Sequence, residues 1–323
     1  MGPMTNQALQ SMGRNKRGRP IHGWLVVDKD SGMTSAQAVS HTRRLLGARK
    51  AGHAGTLDPL ATGVLPIALG EATKTVPYVM DGAKTYQFTV CFGESRNTDD
   101  LDGAVLETSD IRPDDKMILE ALPQFTGVLS QVPPLYSAIK INGQRSYKRA
   151  RDGAVELPPP RSVEIRRFEL LGRPNSDSAI FEVDCGKGTY IRSLARDLGK
   201  FLGTVAYVSK LRRIRCGPFC QKDAISLATL SKSVLCAPPQ EVLLSIATAL
   251  DDIPALAVTE TQTGYLRHGR AVRVRSGGAI FVDANQLGAI QEGDVLFAMS
   301  GENPVALARL EGEEIRPMRV LNL

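Results

Sequence analysis

One carboxylate stands out in the stretch from Gly52 to Pro66, GHAGTLDPLATGVLP. Asp58 is its only acidic residue, and apart from His53 the surrounding residues are apolar, small or neutral. Pro59 fixes its own φ and pushes Asp58 toward an extended backbone, while the nearby glycines permit close approach of another molecule. A rigid loop carboxylate in apolar surroundings suits a nucleophile. Without further residues, however, the simpler explanation is that Asp58 caps a helix beginning at Pro59.

Several common chemistries lack the residues they need. The chain has no GxxxxGK[ST] phosphate loop, no GxGxxG turn and no GxSxG nucleophile elbow. Its four histidines and five cysteines show no metal-ligand spacing; Cys216 and Cys220 are close together, but no second pair completes a zinc site. We therefore expect no cofactor and no metal, and interpret the cysteines as free or buried thiols.

Basic charge is concentrated in two parts of this chain of 323 residues, whose formal net charge is +6. Residues 1–20 carry four cations and no acid, and residues 187–215 carry eight cations against Asp197 alone. The eight are Lys187, Arg192, Arg196, Lys200, Lys210, Arg212, Arg213 and Arg215. Such asymmetry indicates a polyanionic partner, and the interleaved Tyr190 and Tyr207 favour RNA or DNA. For residues 1–20 alone, a solvated tail without a partner is an equal alternative.

Length and composition predict a cytoplasmic protein of two domains. No apolar run approaches the length of a membrane span, and the N-terminus lacks the apolar core of a secretory signal. We expect a disordered basic tail over residues 1–20 and a first domain over residues 21–250. From Asp252 onward there is no Lys, and short apolar segments alternate with glycines, which predicts a small β-rich domain over residues 251–323. Its segment Arg267–Arg275 is the one part suited to a phosphate backbone.

Hydrophobic patterning predicts the elements that position these residues. The predicted strands are Trp24–Val27, Thr85–Phe92, Val163–Leu171 and Ala179–Cys185, and Leu65–Leu69 is a short buried segment. One helix begins at Thr34 or Ser35 and stops at Gly47, and another carries Ile191 to Leu202 and stops at Gly203. A short helix over residues 115–122 ends before Pro123. We interpret Arg96–Gly103 as a polar turn and residues 131–160 as a flexible insertion.

Six motifs occur in order along the chain. They are GWLVVDKDSGMTS (Gly23–Ser35), GHAGTLDPLATGVLPIALGEATK (Gly52–Lys74), KTYQF (Lys84–Phe88), YSAIK (Tyr136–Lys140), GKGTYIRSLARDLG (Gly186–Gly199) and KLRRI (Lys210–Ile214). Together they resemble the TruB family of bacterial tRNA pseudouridine synthases, which isomerise uridine 55 in the T loop. The resemblance runs from about Gly23 to the end and is strongest before residue 220. Thr56 stands where the family often has alanine, a small change that we expect to be tolerated.

The resemblance implies a fold and a set of roles. The fold is α+β: a mixed, largely antiparallel central sheet with flanking helices (the pseudouridine synthase fold), followed by a small PUA-like RNA-binding domain. The implied roles are Asp58 as covalent nucleophile, Arg192 as its partner, Tyr86 as the ring stacked on the target base, Tyr190 and Leu211 as the lining of the uridine pocket, His53 in displacing the nucleotide, and Lys29 in supporting the active-site loop.

The reaction that these roles imply agrees with the residues present. Isomerisation breaks an N-glycosidic bond, rotates the base and forms a C–C bond, without redox chemistry or a metal. A carboxylate can attack either C6 of the uracil or C1′ of the sugar, and we expect the guanidinium of Arg192 to bind both oxygens of Asp58. Extracting the stacked uridine costs a few kcal/mol. The attacked atom and the group that moves the C5 proton stay open, with Tyr86 a candidate for the latter.

Two other functions are kept as alternatives. One is an RNA-binding or tRNA-folding protein whose isomerase activity is secondary or absent. The other is a guide-RNA-dependent synthase of the archaeal and eukaryotic type. Under the main hypothesis we expect tRNA, through its T arm, as the partner, with no membrane and no protein partner required, and a monomeric chain.

Overall fold

The computed structural model describes residues 18–137, 139–141, 143–152, 156–236, 238–274 and 290–323. Its larger part is built on a mixed sheet. The strands that precede residue 230 are β1 (Gly23–Lys29), β2 (Ala51–His53), β3 (Thr62–Leu69), β4 (Lys84–Phe92), β5 (Glu94–Arg96), β6 (Val105–Thr108), β7 (Gly127–Gln131), β8 (Lys140–Ile141), β9 (Gln144–Arg145), β10 (Arg161–Asn175), β11 (Ser178–Cys185), β12 (Ala206–Cys216), β13 (Phe219–Cys220) and β14 (Ala224–Ser226).

The central sheet has ten strands, in the order β14-β1-β3-β12-β4-β11-β10-β7, with β2 added to β3 and β13 added to β12. The pairs β1–β14 and β3–β12 are parallel, and the other pairs are antiparallel. The expected mixed, largely antiparallel sheet is thereby confirmed. Two hairpins, β5–β6 and β8–β9, lie outside it.

Helices flank this sheet, and one more helix lies in the C-terminal part of the chain. They are α1 (Ser35–Leu46), α2 (Val76–Asp81), α3 (Asp115–Ala121), α4 (Ser146–Arg151), α5 (Ile191–Phe201), α6 (Leu227–Cys236) and α7 (Glu260–Arg267). Shorter 3-10 turns cover Gly70–Lys74, Leu122–Phe125, Gln221–Asp223, Pro239–Val242 and Ala247–Leu250. None of the described helices is long and apolar enough to cross a bilayer.

Strand β1 is buried on both faces, which explains its continuous apolar sequence. Leu25 and Val27 pack into the core shared with α1 and α5. Trp24 and Val26 pack into a second core on the opposite face. The indole Nε1 of Trp24 donates to the hydroxyl of Thr75 over 3.2 Å, so the largest side chain of the second core leaves no buried donor unpaired.

The predicted elements are largely confirmed. Helix α1 has Thr34 as its N-cap, in a capping box with Gln37, and ends at Gly47 in the left-handed conformation, φ 63°. All four predicted strands are present, each within or overlapping an observed one. The predicted buried segment is the second half of β3, which begins earlier, at Thr62. The predicted short helix is α3, which ends before Pro123. Pro123 itself lies in a 3-10 turn that follows α3.

Two expectations about disorder need correction. Most of the expected basic tail lies outside the described residues, but residues 18–20 lie against the end of α1, where Arg19 bridges to Ala48 and donates to the carbonyl of Leu46. The expected flexible insertion over residues 131–160 contains β8, β9 and α4 in its described part. There Ser146 donates its hydroxyl to the carbonyl of Leu135, which anchors the start of α4.

A second sheet forms the C-terminal β-rich domain. Its strands are β15 (Ala255–Ala257), β16 (Val272–Arg273), β17 (Val295–Ser300), β18 (Asn303–Glu311) and β19 (Glu314–Val320), in the order β15-β17-β18-β19-β16. Phe297, Leu307 and Leu321 from this domain pack into the same core as Trp24. Lys74 also donates to the carbonyl of Val320 over 2.6 Å. One hydrophobic core therefore contains side chains from both parts of the chain.

Candidate active site

Asp58 lies on the loop between β2 and β3. The residues after Pro59 form a turn, closed by the amide of Ala61 donating to the carbonyl of Asp58 over 3.1 Å, and no helix begins there. The helix-cap explanation of Asp58 is therefore wrong. The hydroxyl of Ser35, at the start of α1, donates to the carbonyl of Leu57 over 3.0 Å and accepts from its amide over 2.8 Å. These bonds fix the backbone next to the carboxylate.

Lys29 holds the same loop from behind. Its side chain is fully buried, and its ammonium donates to the carbonyls of Asp30, Met33 and Pro59 over 2.9, 2.6 and 3.3 Å. Burial lowers the pKa of Lys29 to about 8, against the opposing influence of the Asp58 and Asp30 carboxylates. The lysine at the end of β1 thus ties two backbone turns together, which agrees with the supporting role that the resemblance implies.

Replacing Lys29 by methionine is expected to change how stability depends on pH. Below pH 8 the folded protein bears the burial cost of a charged lysine; as pH rises from about 8 to the ordinary value of 10.5, the folded state releases its proton before the unfolded state does. The free energy of unfolding of the wild type should therefore rise by about 3 kcal/mol relative to Lys29→Met over that window. Urea titrations at pH 7.5 to 10.5 measure the difference, with Lys116→Met at an exposed position as the control. A difference that stays constant with pH would contradict the assignment.

Arg192 joins Asp58 to a second carboxylate. Its guanidinium is buried at the start of α5, with Nη2 2.8 Å from Oδ2 of Asp58 and Nη1 3.3 Å from Oδ2 of Asp100. The same nitrogens donate to the carbonyls of Tyr136, over 3.0 Å, and Thr98, over 2.8 Å. The pairing of Arg192 with Asp58 is present, but the expected two-oxygen fork is not, because one arm of the guanidinium is directed to Asp100.

Asp100 was not predicted as a site residue, because Arg96–Gly103 was interpreted as a polar turn. Asp100 is buried on the loop between β5 and β6, where it accepts from the hydroxyl of Thr98 over 2.6 Å. Burial raises its pKa, opposed by Thr98 and Arg192. Asp99 forms an ion pair of 2.9 Å with Arg196, one turn along α5 from Arg192. The sequence did contain a usable pattern: two adjacent acids, Asp99 and Asp100, and two arginines at i, i+4 spacing, Arg192 and Arg196, which could pair with them.

Asp100→Asn is expected to lower kcat by about 10-fold while leaving KM nearly unchanged. Asparagine has the shape of aspartate but not its charge. The protein should therefore stay folded, while the charge-assisted contact that orients Arg192 is weakened. Single-turnover rates on an RNA substrate measure the effect. Asp102→Asn, at an exposed position of the same loop, is the matched control. Equal rates for the two variants would remove Asp100 from the site.

A cavity of about 590 Å³ opens beside the Asp58–Arg192 pair. Five of the seven predicted site residues line it: Asp58, Tyr86, Tyr190, Arg192 and Leu211. They come from the β2–β3 loop, from β4 and β12, and from the segment leading into α5. The cavity thus combines a carboxylate, a guanidinium, two phenol rings and an aliphatic wall, which suits a planar polar base better than a flexible chain.

Tyr86, which is partly buried, and Arg213, which is buried, both line this cavity. They are register partners across β4 and β12. Burial raises the pKa of Tyr86 to about 12, opposed by Arg213. Its hydroxyl is therefore protonated near neutral pH, which favours stacking and hydrogen-bond donation over proton abstraction by the resting phenol.

Arg213 also contacts the loop that carries Asp58. Its Nε donates to the carbonyl of Val64 over 2.8 Å, and its Nη2 donates to the carbonyl of Gly55 over 3.0 Å. Gly55 has φ 84°, and a Cβ there would lie 3.1 Å from Nη1 of Arg213, so both conformation and space favour glycine. The guanidinium is thus a structural centre for the loop that carries Asp58.

The interpretation of residues 187–215 as a polyanion-binding surface needs correction. Arg192 and Arg213 are buried, and other cations of the stretch pair with the protein's own acids. These ion pairs are Lys187–Asp81, Arg196–Asp99 and Arg212–Asp28, at 3.0, 2.9 and 2.8 Å. Lys200, Lys210 and Arg215 remain exposed. Counting charges along the sequence could not distinguish paired or buried cations from free surface cations, because the acidic partners of the paired cations lie mostly far away in sequence.

His53 and Lys29 are not among the residues that line the cavity. His53 ends β2, where it pairs with Ile67 of β3. Burial and the nearby Arg213 lower its pKa, so the imidazole is neutral at pH 7, and its Nδ1 is buried without a partner. This position, five residues before Asp58, agrees with the implied role at the nucleotide but does not test it.

Within the described residues, no group of three His, Cys, Asp or Glu side chains is arranged to hold a metal ion. Cys91, Cys185, Cys216 and Cys220 are free thiols, and Cys185 and Cys216 are buried. Burial raises the pKa of Cys185 to about 11, which makes it an unreactive thiol at neutral pH.

Comparison with known proteins agrees with this geometry. Residues 43–191 match the model of the TruB family pseudouridylate synthase N-terminal domain, and residues 192–252 match that of the tRNA pseudouridylate synthase B C-terminal domain. Two proteins named tRNA pseudouridine synthase B are similar over nearly their whole length. The one from Gluconacetobacter diazotrophicus is 53% identical over 95% of this chain and 100% of its own. The one from Rhodospirillum rubrum is 49% identical over 97% of this chain and 100% of its own.

Solved structures share the fold at lower identity. A chain from the structure of a Cbf5-Nop10-Gar1 complex is 26% identical, with a TM-score of 0.72 over 93% of this chain and 85% of its own. A chain from an H/ACA RNP bound to a substrate RNA containing 2'-deoxyuridine also has a TM-score of 0.72, at 24% identity, over 97% of this chain and 92% of its own. The fold and the similarity along nearly the whole chain are those of a pseudouridine synthase. The chain belongs to the TruB family of pseudouridylate synthases.

Proposed function

We propose that this enzyme isomerises uridine 55 to pseudouridine in the T loop of tRNA, with Asp58 as the covalent nucleophile. The observation that carries the proposal is the Asp58–Arg192 ion pair of 2.8 Å on the wall of a cavity that also contains Tyr86, Tyr190 and Leu211. The relatives that match over nearly their whole length are named tRNA pseudouridine synthase B, which supports tRNA as the substrate.

The residues divide the work of the reaction as follows. The ring of Tyr86 and the side chain of Leu211 hold the faces of the extruded uracil, and Tyr190 closes the cavity beside them. Asp58 attacks, and Arg192 orients its carboxylate through their ion pair of 2.8 Å. Lys29, Ser35 and Arg213 keep the loop in one conformation, so the carboxylate need not be ordered when RNA binds. His53 fills the space that the extruded nucleotide leaves.

The direct test measures tritium release from tRNA transcripts containing C5-tritiated uridine. The purified enzyme should release the label of a single uridine per tRNA without any cofactor, and a transcript with cytidine at position 55 should release none. Release from other uridines in the cytidine-55 transcript would contradict the assigned position. No release from any transcript would contradict the activity itself.

The same assay separates the two alternative functions. A guide-RNA-dependent synthase would be inactive on a bare transcript and active only with added RNA and protein. A tRNA-folding protein would promote tRNA folding equally well with and without the Asp58 carboxylate. Activity on the bare transcript, lost on removing that carboxylate, supports the proposed enzyme.

The domain organisation and the oligomeric state can also be proposed. We propose that residues 21–250 form the catalytic domain and residues 251–323 a PUA-like RNA-binding domain, with Arg267 to Arg273 as its most basic described surface. The enzyme acts on the tRNA T arm in the cytoplasm as a monomer, without a protein partner. Sedimentation of the purified chain with and without tRNA tests the monomer, and tRNA binding by a chain ending at residue 250 tests the C-terminal domain.

A further inference from the structure

The first half of the chain contains a cluster of exposed cations that the catalytic site does not use. Arg43, Arg44, Arg49 and Lys50, hereafter the α1 basic cluster, lie at the end of α1 and in the connection to β2. All four are exposed. From Ser31 to Leu57 the sequence contains no Asp or Glu at all. In the described part of the chain none of the four forms an ion pair.

This cluster differs from the arginines of residues 187–215. Those side chains mostly face carboxylates of the protein itself, so their charge is already neutralised. In the α1 basic cluster the charge adds up instead. Arg19 extends it, because its Nη2 donates to the carbonyl of Leu46 over 2.6 Å and its backbone bonds to Gly47 and Arg49. An unneutralised group of cations at this density attracts a polyanion.

A groove connects this cluster to the neighbourhood of the nucleophile. A surface cavity of about 370 Å³ runs along the exposed face of α1. It is lined by Gly32, Met33, Gln37, Ser40, His41 and Arg44. Gln37, Ser40, His41 and Arg44 follow i, i+3, i+4 and i+7 spacing, so they form one polar row on the helix. At the other end, the amide of Gly32 donates to the carbonyl of Pro59 over 2.8 Å, next to Asp58.

The distance between the two ends suits RNA. Helix α1 has twelve residues, so it is about 18 Å long. Its first residue, Ser35, is bonded to Leu57 of the nucleophile loop, and its last turn carries Arg43 and Arg44. A strand whose target nucleotide is held in the cavity therefore passes phosphates along this face. The row contains no Phe, Tyr or Trp on which a base could stack broadly, and its polar and cationic side chains are suited to the phosphate backbone.

We infer that the α1 basic cluster and the groove along α1 bind the phosphate backbone of the RNA substrate, outside the flipped-nucleotide cavity. This inference rests on the proposed function, since it assumes an RNA substrate. It gives the enzyme a second contact that is independent of base identity. It also explains why a helix next to the nucleophile loop carries no acidic residue.

The test compares two double variants of equal charge. Arg43→Gln/Arg44→Gln removes two cations of the cluster, at helix positions where glutamine is well tolerated. Lys116→Gln/Arg166→Gln removes two cations elsewhere that are 82% and 54% exposed. Binding of a tRNA transcript is measured by filter retention between 0.05 and 0.4 M salt, with circular dichroism to confirm folding. The cluster variant should bind about 20-fold more weakly at 0.15 M salt, with a salt slope smaller by about 1.5. The control should match the wild type.

The outcomes separate this inference from the proposed function. If the wild type binds tRNA and releases tritium, but the cluster variant binds as tightly as the control, the inference is overturned and the function stands. If the wild type neither binds nor modifies tRNA, both are overturned. Vesicles of phosphatidylcholine with 30% phosphatidylserine test the other polyanion. Loss of vesicle binding with unchanged tRNA binding would assign the cluster to a membrane surface and overturn the inference.

Discussion

Asp58→Asn is expected to reduce uridine isomerisation by about 10⁴-fold or more while leaving RNA affinity within a few-fold of the wild type. Asparagine has the shape of aspartate, and its amide oxygen can still accept from Nη2 of Arg192, so the loop and the cavity should be retained. What disappears is the anionic oxygen that we propose as the nucleophile. Because no second carboxylate lines the cavity at that position, nothing else in the described site can replace it.

The measurement is single-turnover tritium release, with RNA binding determined in parallel. Asp81→Asn is the control: this carboxylate lines the rim of the same cavity and pairs with Lys187, but it is 62% exposed. It should retain activity within about threefold, as expected for an exposed ion pair. Asp58→Asn with activity comparable to that of Asp81→Asn would exclude covalent catalysis by Asp58.

Arg192→Met is the second large effect, with an expected loss of about 10²–10³-fold in kcat. Methionine fills much of the volume, but it leaves Asp58 and Asp100 facing each other without the cation that lies between them. Breaking a buried pair from one side costs roughly 3–5 kcal/mol, because the remaining charge is uncompensated. Here the cost appears partly as a wrongly oriented Asp58 carboxylate, and partly as lost stability.

Two further variants separate these contributions. Arg192→Lys keeps the charge but loses the planar fork that reaches both carboxylates, so its activity should lie between those of the wild type and Arg192→Met. Arg196→Met removes the neighbouring Arg196–Asp99 pair on the same helix without touching Asp58. It should lower the melting temperature with a much smaller effect on kcat. Equal losses of kcat in Arg192→Met and Arg196→Met would mean that Arg192 acts only through stability.

The sequence predicts the local elements well, for identifiable reasons. Helix α1 carries its own start and stop signals, Thr34 with Gln37 and Gly47, and these act within one or two turns. Strand β4 alternates because one of its faces packs in the core. The roles of Asp58, Tyr86 and Arg192 came from six motifs matched together, since each residue alone had an ordinary structural explanation.

What the sequence did not predict depends on contacts between distant segments. Arg213 was counted as a surface cation, yet it is buried and bonded to Gly55, which is 158 positions away. Asp100 was counted as a turn residue, yet its partner is on α5. A charged residue becomes internal only when the fold supplies carbonyls or an opposite charge for it, and sequence patterning along one segment contains no record of that partner.

The core that joins the two sheets has a consequence for how substrates are chosen. Trp24 of the first sheet belongs to the same buried hydrophobic cluster as Phe297, Leu307 and Leu321 from the second domain. Two bodies joined in this way do not open or close like domains on a linker. An RNA that contacts both sheets must therefore match the fixed distance between them. The enzyme then selects substrates by the length and bend of the folded RNA, independently of contacts to the bases.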